Sequence, residues 1–475
     1  MENTVETDIN ADETQEQDAL AAQQHQRTCP KCDNVLEITI GYPTWCEKCN
    51  WNLEPEEPEL LQWLKARQKQ DPFEKLYEKV RRVRRDKIAI PESFASGNYK
   101  MTLDTLAIYI LAFLINSLLF LPVFALVWFR LHEPTWVTAV FNTLPFFAVS
   151  YWLWPNFGPV PDEFLAPEKY PTFYSFVNKI AQSLGAPKIN HIVINSMFNA
   201  AYSVYGLRRT PVLMLGWPYL AVLTREEKVA LLGHELAHAV NGDPSRGIFV
   251  GTAMHILQNL YKIIWLVRNW GFGLAFGLGL FLLVSALFAR PLFSATVWHS
   301  LVLIVLDGLI LSLIPLLGVF GLRYFLWRER YRAEFRADRL AAQVAGSEPV
   351  AASLQKTSWA HAIAMAMNLH YRQMIKTKQY QDLIVLLNKH IELAPGKEIE
   401  RIKHLEAKRE QIIYDTHPAK EARLAALAAN PINTPSVTFS EAEWAAFEKE
   451  FAELIVEVQK KWYVSYLRAR SGVRI

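Results

Sequence analysis

Cysteine is scarce in this chain, with four in 475 residues, all of them between positions 29 and 49. A disulfide-stapled secreted scaffold is excluded, because such folds spread many cysteines through a short chain. Charge imbalance is lacking too. A formal net charge of +3 leaves no electrostatic footprint for nucleic acid, and no nucleic-acid partner is expected. Residues 1–28 hold no apolar run and are rich in Glu, Asp, Gln and Ala. They read as a disordered acidic tail without the apolar segment of a secretory signal. No internal repeat is convincing in the rest of the sequence.

The four cysteines form two C-x-x-C knuckles, Cys29-Pro30-Lys31-Cys32 and Cys46-Glu47-Lys48-Cys49, separated by a 13-residue loop. That spacing fits a zinc ribbon, in which four thiolates hold Zn2+ tetrahedrally and closed to water. A redox pair or two disulfides are the alternatives, disfavoured where a cytoplasmic location keeps thiols reduced. Cys29, Cys32, Cys46 and Cys49 are therefore expected to bind a structural zinc, in a ribbon over 29–56 that has room for a protein partner.

Long apolar runs stand where cysteine and net charge are missing. Crossing a bilayer takes ~20 helical residues, and four stretches qualify: about 103–129, 136–154, 270–289 and 296–325. A short link joins the first two into a hairpin, and the third is Gly-spaced as in closely packed membrane helices. Trp128, Trp136, Trp152, Trp154, Trp270, Trp298 and Trp327 lie near the proposed ends, as interfacial aromatics do. Basic residues cluster before the first span (Arg81, Arg82, Arg84, Arg85, Lys87, Lys100) and after the fourth (Arg323, Arg328, Arg330, Arg332). Both termini, and the segment between the two hairpins, are thus expected on the cytoplasmic side, with the lipid bilayer as a partner. Residues 248–267 are apolar but interrupted by polar groups, and read as a soluble helix reaching the membrane rather than a fifth span. Asp307 lies inside the fourth run without an assigned role.

His234-Glu235-Leu236-Ala237-His238 carries the chemistry. On a helix, histidines four apart project from one face and reach a single Zn2+, while the glutamate stands where it can take a proton from water. Apolar residues at Val229, Leu232, Leu236, Ala239 and Val240 follow a helical period, and Thr224-Arg225-Glu226-Glu227 is a capping-box start. Three strands of a small antiparallel sheet are expected just before it, at 189–194, 198–206 and 211–215. One protein ligand is still needed. Glu334 and Asp338 share a helix face, so one could bind metal while the other holds a ligand histidine by its free ring nitrogen. Equally, Arg332, Arg336 and Arg339 could pair with both carboxylates on a solvated helix.

Four patterns in order resemble the M48 family of membrane zinc metallopeptidases: Phe198-Asn199-Ala200, the extended motif over 234–243, Glu334-x-x-x-Asp338, and Thr416-His417-Pro418 followed by Arg423. The resemblance covers about 100–430 and is nearer the four-span, HtpX-like branch than the seven-span, CAAX prenyl protease (Ste24-like) branch. It implies His234, His238 and Glu334 as ligands of a catalytic zinc, Glu235 as general base and His417 as oxyanion donor. It also implies Asp243, Asp338 and Arg423 as supports behind the ligands, and Asn199, Ala200 and Ala201 as a strand that binds substrate by main-chain pairing.

The expected fold class is a mainly α membrane protein with four transmembrane helices, a cytoplasmic α+β zincin-like peptidase domain with a small antiparallel sheet, and an N-terminal zinc ribbon. Its expected order is tail 1–28, ribbon 29–56, basic linker helices 57–100, hairpin 101–155, first peptidase part 156–268, hairpin 269–326, second peptidase part 327–430 and helical segment 431–475. The implied activity is zinc-dependent endoproteolysis of membrane or misfolded polypeptides at the cytoplasmic face of a bacterial plasma membrane. A narrow-specificity prenyl-protein processor and a non-catalytic zinc scaffold are the alternatives.

Overall fold

The computed structural model describes residues 25–39, 41–55, 102–132, 134–155, 158–206, 208–241, 247–262, 295–377, 382–408 and 417–471. The basic linker helices, the third apolar run and Asp243 lie outside them. The ribbon opens earlier than its first cysteine. Strand β1 (His25–Thr28) pairs antiparallel with β2 (Val35–Ile38), so the last four residues assigned to the disordered tail belong to the ribbon. Their polar composition hides a strand that is stabilised by pairing with β2, whose Leu36 is fully buried against Cys29 and Cys46.

The first apolar run forms α1 (Leu103–Asn116), a 3-10 turn (Ser117–Phe120) and α2 (Leu121–His132); the second forms α3 (Trp136–Leu153). Pro122 has no N–H to give the preceding turn, which accounts for the break between α1 and α2. Leu103–His132 and Trp136–Leu153, of 30 and 18 residues, are long and apolar enough to cross a membrane. Their outer faces expose Phe113, Phe124, Trp128, Phe141 and Trp152, an apolar surface far beyond what a water-soluble monomer carries. Among the described residues only these two helices meet that test, against the four spans expected; the fourth run falls on the long helix described below.

The chain next builds α4 (Pro171–Leu184), started by Pro171 and closed by Gly185 in the left-handed region at φ 68°. Three strands follow: β3 (His191–Asn195), β4 (Ala200–Tyr205) and β5 (Thr210–Gly216). The sheet is mixed rather than antiparallel, in the order β3-β5-β4 with β3 and β5 parallel. The reason is the link between β3 and β4, which arches over the end of β5 and deposits β4 on its far side. Gly216 makes the arch possible. A Cβ there would lie 1.7 Å from the Met197 carbonyl oxygen, whereas the glycine N–H donates to Asn199 O at 2.8 Å. Trp217 Nε1 donates to Ser196 Oγ at 3.1 Å and closes the arch from behind. Gly216→Ala is expected to cost on the order of 3–5 kcal/mol, the upper end for one substitution. It should be read as a lowered thermal midpoint in detergent; an unchanged midpoint would show that the arch yields freely.

Eight helices follow the sheet up to the C-terminal part. They are α5 (Trp217–Val222), α6 (Arg225–Ala237), α7 (248–262), α8 (Ala295–Ala345), α9 (Ser347–Lys356), α10 (Ala360–Thr377), α11 (Leu383–Glu392) and α12 (Gly396–Lys408). Two more, α13 (Lys420–Ala429) and α14 (Glu441–Ser471), complete the described chain. The predicted capping box starts α6: the Glu227 N–H donates to Thr224 Oγ1 at 3.3 Å, and the Thr224 N–H to Glu227 Oε2 at 2.8 Å. Helix α7 packs Val250, Ala253 and Leu257 between α1 and α8.

The main core joins α4, the sheet, α5, α6, the end of α8, α10, α11 and α14. Helix α14 is an integral part of it: Phe447 stacks on Phe173 at 5.0 Å, and the Glu450 carboxylate accepts the otherwise unpaired N–H groups of Thr172 and Phe173 at 2.9 and 2.8 Å. At the other end of the domain a buried polar cluster ties the start of α1 to α8. Thr102 Oγ1 donates to Glu329 Oε1 at 2.7 Å, and Arg328 and Arg332 reach Asp104 at 3.1 and 3.3 Å.

Candidate metal centre and active site

Helices α6 and α8 cross closely where the motif lies. Gly233 lies at the crossing, against Ala341 and Val344 of α8. The crossing brings two carboxylates of α8 to the two histidines of α6. His234 Nε2 lies 3.5 Å from Glu334 Oε2, and His238 Nε2 lies 3.4 Å from Glu334 Oε1. All three residues are buried, and their ligand atoms fall within 4.8 Å of one another. Nitrogen and oxygen ligands at ~2.0–2.1 Å from a tetrahedral Zn2+ stand ~3.4 Å apart, so the donor set fits zinc.

The remaining groups hold these ligands in place. His234 Nδ1 lies 3.0 Å from Asp338 Oδ1, and Asp338 in turn accepts two bonds from the Arg423 guanidinium, at 2.7 and 2.6 Å. Arg423 Nη1 also reaches Glu334 Oε2 at 3.4 Å. Burial on its own would raise the Asp338 pKa; Arg423 outweighs it, with the His234 bond, and holds the carboxyl at about 2. Burial opposes ionisation of Glu334 as well, but His417, His234 and Arg423 keep it well below the usual carboxylate range. His234 feels the converse. Burial favours its neutral form, yet the adjoining Asp338 and Glu334 raise its pKa to about 10. A pocket that binds a proton this firmly attracts a metal cation by the same electrostatics.

The solvated-helix alternative is thereby set aside: Glu334 and Asp338 are both buried, and Arg332 is engaged with Asp104 instead. Glu235 points toward the sheet, where its Oε2 accepts the Tyr202 N–H at 3.0 Å. Among the described residues strand β4 pairs with β5 on one side only, and the Tyr202 bond sets it beside the motif helix. Ala200 and Ala201 lie on that strand, while Asn199 precedes it with its carbonyl committed to Gly216. His417 Nδ1 lies 2.8 Å from Glu334 Oε2, with just over half of its side chain exposed.

Two contacts at the site escaped the sequence reading. Asn241 Nδ2 donates to the Ala333 carbonyl at 2.9 Å and lies 3.3 Å from His238 Nδ1, so it joins the turn after the motif helix to α8 next to the second histidine. Its place three residues after His238 was a usable signal. The bond from the Tyr202 N–H to Glu235 had none, because a main-chain donor leaves no mark on sequence.

The ribbon cysteines converge as well. Cys29 Sγ and Cys49 Sγ are 3.6 Å apart, and Cys32 Sγ and Cys46 Sγ 3.5 Å, close to the ~3.8 Å edge of a tetrahedron with Zn–S bonds of about 2.3 Å. This second donor set is all thiol.

Two histidines and a glutamate from crossing helices, a second glutamate next to the first ligand, and a strand alongside match the layout of a zinc metallopeptidase site. A match to peptidase family M48 spans residues 169–430, more than half of the chain. The chain belongs to peptidase family M48, which is zinc-dependent, and is HtpX-like within it. The match begins beyond the first hairpin, later than the resemblance drawn from sequence. Protease HtpX of Haemophilus ducreyi (strain 35000HP / ATCC 700724) is 24% identical over 190 residues, 40% of this chain and 58% of that protein. Protease HtpX of Glaesserella parasuis serovar 5 (strain SH0165) is 25% identical over 187 residues, 39% of this chain and 58% of that protein. The chain therefore spans 58% of the length of these curated relatives. No solved structure matches it.

Proposed function

We propose that the protein is a membrane-anchored, zinc-dependent endopeptidase that cleaves membrane or misfolded polypeptides at the cytoplasmic face of a bacterial membrane. The observation that carries this reading is the buried triangle of His234, His238 and Glu334 with Glu235 beside it. Zinc, when bound, supplies Lewis acidity to the scissile carbonyl and makes water a nucleophile near neutral pH.

The chain's own residues do the rest. Asp338, backed by Arg423, fixes the ring plane of His234, and Asn241 ties the turn after the motif helix to α8 through the Ala333 carbonyl. Glu235 takes the proton from attacking water at its carboxylate and passes it to the leaving amine. An extended substrate adds to the edge of β4, main chain to main chain, which reads length and conformation more than side chains and suits an enzyme with varied clients. His417 is near enough to swing from Glu334 toward a developing oxyanion, and its exposure leaves it free to do so. The exposed apolar faces of α1, α2 and α3 support anchoring by the first hairpin. A second hairpin, reaching the membrane through 270–289 and the start of α8, completes a four-span plan with both zinc sites in the cytoplasm. The name shared by the relatives, Protease HtpX, supports this reading.

The test uses the full chain in detergent with an unfolded test protein. Cleavage should stop when a chelator removes zinc from the triangle, and return when zinc is restored. Cleavage that persists at an unchanged rate in chelator-treated, zinc-free protein would sink the proposal.

A further inference from the structure

Two features stand outside the family match or away from the active site: the N-terminal ribbon and the α11–α12 pair. They meet each other. Trp45, fully buried, sends its Nε1 to the Lys397 carbonyl at 3.1 Å and sets its ring against the edge of His404. Tyr42 stacks on the His390 ring at 4.3 Å and gives its hydroxyl hydrogen to the His390 carbonyl. That carbonyl is in the last turn of α11, where helix carbonyls lack intrahelical partners. Arg401 is equally buried. Its Nε and Nη2 are each held by Glu398 at 2.7 Å while Nη1 donates to the Leu53 carbonyl at 2.8 Å.

The contact has the composition of a strong interface. A tryptophan, a tyrosine and an arginine form its centre, the residue types that dominate binding energies. The surface that meets the helices is Tyr42, Trp45 and Leu53, and it is shaped by the second knuckle. Trp45 precedes Cys46, and the loop closes on itself through Cys46 N to Trp51 O at 2.9 Å and Asn52 Nδ2 to Thr44 O at 2.7 Å. Four sulfurs held 3.5–3.6 Å apart in pairs stay together when a metal draws them in; without it, neither Cys46 nor Trp45 has a fixed place. On the other side, α11 reaches the catalytic core. Leu383 and Leu387 are buried there, and Asn388 Nδ2 donates to the Ala221 carbonyl of α5, the helix that leads into the motif helix.

We propose that the ribbon's partner is this same chain: its zinc-shaped surface docks on α11 and α12 and clamps them to the catalytic domain, so that ribbon zinc sets how firmly that flank is held. Tethering in one polypeptide gives the docked state a high effective concentration, which a separate protein would have to overcome. The inference concerns the closed site alone and does not depend on the peptidase reading.

Hydrogen exchange on the full, zinc-loaded chain tests it. Trp45→Phe keeps the aromatic filling and all four thiols but removes the Nε1 donor; Trp45→Ala removes both, and Cys32→Ser/Cys49→Ser removes the zinc. Exchange of 383–408 should accelerate on the order of tenfold in Trp45→Ala and in the double-cysteine variant, and less in Trp45→Phe. Exchange of 173–181 in α4 should stay unchanged. Zinc content should fall by one per chain only in the double-cysteine variant. Unchanged exchange of 383–408 in both Trp45→Ala and the cysteine variant overturns the proposal. So does acceleration that spreads equally to 173–181 in the cysteine variant while both Trp45 variants match wild type, because the ribbon would then serve folding at large and not this contact.

Discussion

Glu235→Gln lowers peptide hydrolysis by a factor on the order of 10²–10⁴, the range for loss of a general base, while zinc content and thermal midpoint stay at wild-type values. The structure separates these outcomes cleanly. Glu235 is not one of the three converging ligands, so its replacement removes no bond to the metal. Its one hydrogen bond among the described residues is from the Tyr202 N–H, and a glutamine oxygen accepts that bond as well as a carboxylate oxygen does. Backbone strand and motif helix therefore keep their relation, and what disappears is the capacity to take a proton. Initial rates on an unfolded protein, paired with metal analysis by mass spectrometry, check both halves. A zinc scaffold would show no rate to lose, and a variant as fast as wild type would remove Glu235 from the chemistry.

Arg423→Met is the most damaging change expected away from the ligands. Asp338 is buried among His234, Glu334 and Arg423, and it is ionised because the guanidinium outweighs the cost of burial. Without that partner a carboxylate remains in the interior, and removing one member of such a pair costs about 3–5 kcal/mol. Glu334 loses a favourable neighbour in the same step. The thermal midpoint should drop accordingly, and zinc affinity should fall roughly 10–100-fold as His234 loses its orientation. The double variant Arg423→Met/Asp338→Leu should regain much of the stability, since the Asp338 charge is removed along with its partner, and none of the affinity. If Arg423→Met alone left both quantities unmoved, the chain of contacts from Arg423 through Asp338 to His234 would carry no weight.

Much of this site was legible because its residues are placed by local period. His234 and His238 share a face by spacing alone, as do Glu334 and Asp338, and the capping box at Thr224 marked the start of the helix. Placing Glu334 opposite the histidines needed the resemblance as well, because the two helices are separated by a long stretch of chain and no pattern within either names the other. The direction of the sheet went unread for the same reason. Whether β3 meets β5 or β4 depends on a four-residue arch tolerated by one glycine, and Gly216 in sequence looks like any strand-end glycine. The docking of Trp45 on α12 was equally silent: a tryptophan beside a knuckle cysteine reads as ribbon filling until its neighbour is seen.

Helix α8 runs unbroken for 51 residues, about 75 Å at the α-helical rise. It begins in the fourth apolar run and carries Glu334 and Asp338 near its other end. In the proposed membrane-anchored plan it is a stiff arm with one end in lipid and the metal ligands near the other. A tilt of about 1° around the membrane end moves Glu334 by ~1 Å, and misplacement of that size costs an enzyme roughly 10²-fold. The Thr102, Asp104, Arg328, Glu329 and Arg332 cluster grips this helix about a turn before the ligand and braces it against such a tilt. Bilayer thickness and lateral crowding would then reach the catalytic centre as an angle.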